Sequence, residues 1–154
     1  MLPPMQTIPR APLLLGLAGL LPFVWGAITV LLPDLGLWTA QIIGPRFAGP
    51  YVMLFYGAVI LSFMSGVLWG FATQLSGPRA TSGYALSTLP ALWAFFMTGG
   101  GPTSAGISLM AGFIGLLGLD WLFWHHGVTP PWWMGLRVML TAVVLICLAI
   151  GVFF

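Results

Sequence analysis

Two residues of opposite charge, Asp120 and Arg137, stand in otherwise apolar stretches of this 154-residue sequence. Between them lies a turn signature, Gly127-Val128-Thr129-Pro130, and each charge is equally far from its centre. In an antiparallel helical hairpin the carboxylate and the guanidinium therefore reach the same depth. A lone charge at the centre of a bilayer costs about 2.5–3.5 kcal/mol on insertion scales, so each is expected to seek the other. Two kinds of chemistry fit. The pair either fixes the register of the hairpin, or it forms a ligand site where Arg137 holds an acidic or carbonyl group and Asp120 orients it or passes a proton. Helical phase sets Asp120 on a face with Phe113 and Trp124, away from Gly112, Gly115 and Gly118.

The other reactive groups are few. His125 and His126 are adjacent, so they point about 100° apart on a helix and do not clamp one iron from opposite faces. Two carboxylates, two histidines and the lone Cys147 are a poor supply for a metal cage. His125 and Trp124 are candidate contacts for a ligand near Asp120 and Arg137, and solvated interfacial histidines are the alternative. Ser62, Ser65, Ser87 and Thr88 have no base near them in sequence, which leaves a nucleophile unsupported. The glycines lie in apolar runs or short turns without a Lys-Ser/Thr ending, so no phosphate loop is expected. Neither a catalytic residue nor a cofactor or metal site is assigned.

Helices must position these groups, and they must do so in lipid. The chain is 60% hydrophobic and 4% charged, with a mean hydropathy of +1.08, whereas soluble domains carry about a quarter charged residues. The six charges are Arg10, Asp34, Arg46, Arg79, Asp120 and Arg137, too dispersed for a nucleic-acid footprint. Five transmembrane helices are expected, at about 11–32, 51–73, 82–98, 103–124 and 131–154, in one all-α polytopic domain over 1–154. Pro22 is expected to kink the first, and Pro90 stands near the centre of the short third. Residues 1–10 read as a disordered or interfacial lead. The apolar run after Arg10 is longer than a signal-peptide core and lacks a clear cleavage site, so it is expected to stay as a span. LGLWTAQII, beginning at Leu35, reads as a surface helix with Trp38 at headgroup depth.

The stretch Tyr51–Gly70 is uncharged, and its twenty residues span about 30 Å as a helix. Ala58, Ser62, Gly66 and Gly70 recur every fourth residue, a stripe along which another backbone approaches closely. Gly112, Gly115 and Gly118 form a second such edge. This stretch is expected to be the central helix. Arg10, Arg79 and Arg137 on one side against Arg46 on the other favour N-in, C-out. The tryptophans collect towards the two ends of the spans as interfacial anchors.

Several segments together resemble a known family: AGLLPF at 18–23, YGAVILSF with SGVLWG through 56–70, YALSTLPALWAF at 84–95 and PWWMGLRVMLTAVV from Pro131. It is the bacterial and mitochondrial family of small membrane proteins of unknown function that includes transmembrane protein 69. That family shows Gly-Gly-x-x-Trp-Gly with a basic residue before the tryptophan, where this chain has Ser65 and Leu68. The resemblance implies a bacterial inner-membrane, multi-pass protein and brings no activity with it. Two functions fit. One is a non-catalytic accessory or assembly subunit, packed among membrane lipids against the integral proteins of a respiratory or photosynthetic complex. The other is a receptor or carrier for an apolar molecule such as a quinone, porphyrin or lipid.

Overall fold

The computed structural model describes residues 7–154 as helices joined by short connections. The lead over residues 1–6 lies outside the described residues. The first long apolar segment is broken into α1 (Arg10–Ala18) and α2 (Leu21–Leu31). The break precedes Pro22, which has no N–H to offer the carbonyl of Ala18 and whose ring crowds it. α3 (Pro33–Ile42) and a 3-10 turn (Pro45–Phe47) follow, with Leu37, Trp38 and Ile42 of α3 exposed. Then come α4 (Gly49–Ala72), α5 (Gly77–Ser87), α6 (Leu89–Met97), α7 (Pro102–His125) and α8 (Trp133–Phe153).

Four segments among the described residues are long and apolar enough to cross a membrane: Arg10–Leu31, Gly49–Ala72, Pro102–His125 and Trp133–Phe153. The segment expected as a fifth span is instead the broken pair α5 and α6, of 11 and 9 residues. Pro90 is again the cause, since it has no N–H with which to continue the ladder from α5. The N–H of Ala91, in the first turn of α6, donates to Ser65 Oγ on α4 at 2.8 Å. Backbone freed at a break in lipid needs such a substitute partner. Ser65 thus caps the restart of α6.

α4 packs against α2, α5, α6, α7 and α8. It does so through Met53, Gly57, Leu61, Met64, Ser65, Leu68 and Ala72, spaced three and four apart along one face. The small-residue stripe is elsewhere. Ser62, Gly66 and Gly70 are exposed and Ala58 is half-buried. Within this chain the neighbours therefore sit on a different face, where Gly57, Ser65 and Ala72 are interspersed with Met53, Leu61, Met64 and Leu68. On α7 the edge divides. A Cβ at Gly112 would come within 2.7 Å of Trp93, whereas Gly115 and Gly118 have nothing within 4 Å.

The tightest helix contact is α2 on α4. A Cβ on Gly26 would run into Met53 Cγ and come within 2.9 Å of Val52 Cγ1. One turn on, Thr29 Oγ1 accepts the N–H of Gly49 at 2.7 Å while its own proton faces the carbonyls of Trp25 and Gly26, each at 3.0 Å. Gly49 itself has φ +61°, a left-handed conformation that glycine enters without strain.

Candidate functional site

α7 and α8 pack along their length, joined by a turn at Gly127 with φ +75°. This hairpin brings Asp120 and Arg137 together. Arg137 Nε donates to Asp120 Oδ2 at 2.8 Å, and the two side chains are 7% and 0% exposed. Trp133 Nε1 donates to the other oxygen, Oδ1, at 3.0 Å. Both carboxylate oxygens thus have a donor, as a charge removed from water requires. Trp133 is held in turn by Phe71 of α4, its ring edge-on at 5.1 Å between centroids.

Trp133, Arg137 and Thr141 are spaced four apart on α8 and so share one face. Thr141 is 2% exposed, yet among the described residues its Oγ1 has no hydrogen-bond partner, and neither has Arg137 Nη2. All three residues line a cavity of about 570 Å³ whose other walls include Leu15 and Gly16 of α1 and Tyr56 and Phe63 of α4. One water accounts for about 30 Å³ of liquid, so the space has room for more than a single water. Chemically, the wall offers two unsatisfied polar groups one helical turn apart in hydrocarbon and aromatic surroundings.

The remaining candidates are not at this place. His125 is exposed and stacks on Trp121 at 5.0 Å between ring centroids. Trp124 Nε1 donates to the carbonyl of Pro131 at 3.3 Å, bracing the turn. His126 Nδ1 lies 2.9 Å from the carbonyl oxygen of Leu122. Among the described residues no three His, Cys, Asp or Glu side chains converge as metal ligands would. Trp133 and Thr141 belong to the site although the sequence reading assigned the first to the interfacial belt and passed over the second. Their signal was the four-residue spacing from Arg137 on both sides.

The helices and the buried ion pair define an all-helical, multi-pass integral membrane protein. Residues 8–153 match the family model described as "Protein of unknown function (DUF3429)", and the chain belongs to that family. A curated relative is Transmembrane protein 69 of Xenopus tropicalis, 32% identical over 148 residues that cover 90% of this chain and 52% of that protein. The chain thus spans about half the length of the relative it matches. No solved structure matches it.

Proposed function

We propose that the chain is a membrane-embedded binding protein, a receptor or carrier holding an apolar small molecule in the cavity bounded by α1, α4 and α8. The observation that supports this reading is the pair of buried atoms, Arg137 Nη2 and Thr141 Oγ1, left without partners among the described residues on two side chains that line the cavity. A buried polar group without a partner costs about 1–3 kcal/mol, and a molecule meeting both would recover that on binding. The apolar remainder of the wall suits a ligand drawn from the lipid phase. The test is native mass spectrometry of the full chain released from mild detergent. A small molecule retained one per chain is expected, and it should be lost in Val59→Trp. Val59 is 60% exposed at the cavity rim, so the larger ring blocks the space without entering the core. A chain that carries nothing and takes up no added apolar compound overturns the reading.

An accessory or assembly role in a larger respiratory or photosynthetic complex is the second reading. It is supported by Gly66, Gly70, Gly115 and Gly118, which leave open backbone for another protein's helix. A stoichiometric integral-membrane partner in gentle purification would favour it. For either function we read the protein as N-in, C-out in a bacterial inner membrane, with α5 and α6 together making the fifth crossing. Arg10, Arg79 and Arg137 then lie towards one side against Arg46 on the other. The cavity would face the inner leaflet.

A further inference from the structure

The buried polar side chains fall into two groups. Thr29 and Thr39 donate to the carbonyl four residues back, Ser87 donates to Tyr84, and Ser65 accepts from Ala91. Asp120 has its two donors. Arg137 Nη2 and Thr141 Oγ1 stand apart from all of these, and both residues line one cavity. Thr141 forgoes even the bond to the carbonyl of Arg137 that a helical threonine ordinarily makes.

Charge then narrows what fits. Arg137 is already neutralised by Asp120. Among the described residues, no carboxylate, histidine or other basic side chain lines the cavity beside Arg137. A carboxylate or phosphate brought to Arg137 would leave an uncompensated negative charge among Phe23, Tyr56 and Leu140, an unfavourable outcome in an apolar site. A neutral acceptor brings no such excess. Resting on the binding reading above, we infer that the cavity takes a neutral, carbonyl-bearing apolar molecule. Its carbonyl oxygen receives hydrogen bonds from Arg137 Nη2 and Thr141 Oγ1, and its hydrocarbon part lies along α1 and α4. Such a carbonyl belongs either to a free ring compound of the quinone or ketone kind or to an ester of a membrane lipid. Asp120 and Trp133 are positioning residues: Asp120 holds the guanidinium through Nε, and Trp133 holds the carboxylate.

The experiment titrates the full chain, in detergent, with three probes of similar shape by native mass spectrometry: a decyl-substituted benzoquinone, decylbenzene and 4-decylbenzoate. The quinone is expected to bind about tenfold more tightly than decylbenzene, the gain of one or two hydrogen bonds. The benzoate should gain nothing over decylbenzene. Thr141→Val should remove most of the quinone's advantage and leave decylbenzene unchanged, and Thr141→Ser should restore it, which separates a lost hydroxyl from a damaged fold. Lipid extracted from the purified chain distinguishes the two sources. A diacyl lipid retained by the native chain and lost in Thr141→Val assigns the carbonyl to an ester, and retention of a ring compound assigns it to a free ligand. Equal binding of quinone and decylbenzene, unmoved by Thr141→Val, overturns the carbonyl assignment and leaves the binding reading standing. Tightest binding of the benzoate overturns the charge argument in the same way. If no probe binds and no molecule is retained, the binding reading itself falls.

Discussion

The α2–α4 contact and the α7–α8 hairpin both bury polar side chains between membrane-length helices, and they finish the task differently. At the first, Thr29 is 3% exposed and its single oxygen meets the Gly49 N–H and the carbonyls of its own helix. Gly26 lets Met53 and Val52 close over it. At the second, Asp120 is fully satisfied by Arg137 and Trp133, but the guanidinium and Thr141 keep buried, unpartnered atoms on residues that line a cavity. One region uses polarity to lock backbone to backbone; the other stores unsatisfied polarity beside a cavity. The contrast separates satisfied from unsatisfied polar groups without any reference to residue type, since a threonine occurs in both.

The comparison is broken most forcefully at the ion pair. Asp120→Ala leaves Arg137 buried and uncompensated, and breaking a buried pair in this way costs about 3–5 kcal/mol. Denaturant or thermal unfolding in detergent should show it as the largest loss of any single change here. The double exchange Asp120→Arg with Arg137→Asp should recover part of it. Recovery of stability without recovery of ligand retention would assign the exact orientation of the pair to binding. An Asp120→Ala chain as stable as the native one would remove the pair from any structural role.

This pair was also the most legible feature in the sequence. Charges in lipid are rare and costly, so two of opposite sign at equal distances from one turn have few alternatives but each other. The long helices were legible for a similar reason, since an uninterrupted apolar run has one stable form in a bilayer. What escaped were features that depend on a neighbour. Pro90 marks a weak point, but only Ser65 across on α4 says where the helix restarts, at Ala91. The stripe Ala58, Ser62, Gly66 and Gly70 has the spacing of a packing edge, yet the contacts fall on the face of Gly57, Leu61, Ser65 and Leu68. Thr141 was hidden because a hydroxyl in an apolar helix usually bonds back to its own carbonyl, and nothing in a linear sequence reveals the exception.

Gly26→Ala tests the tight region next. The added methyl must displace Met53 and Val52, neither at liberty in the core, and overpacking of this kind costs about 1–3 kcal/mol. The loss should appear as a lower unfolding midpoint with ligand retention unchanged in the folded fraction. A neutral result would mean that α2 and α4 separate without penalty, and that the two regions differ less in rigidity than in hydrogen bonding.

The smallest effect and the sharpest contrast come from making one substitution twice. Thr29→Val takes the acceptor from the Gly49 N–H and should destabilise the chain by about 1–3 kcal/mol, the penalty of a buried donor left unmade. Thr141→Val removes a hydroxyl that has no partner to lose, while the methyl keeps the shape of the cavity wall. In ligand-free protein it should therefore change stability by less than about 1 kcal/mol, and towards the more stable side. With a carbonyl-bearing ligand present the sign reverses, because the native chain alone gains the bond and ligand binding stabilises whichever form it prefers. Unfolding curves of both variants, measured with and without the decyl benzoquinone, decide the matter. A ligand-independent loss at Thr141 as large as that at Thr29 would show that its hydroxyl is structural, and the division between the two regions would then disappear.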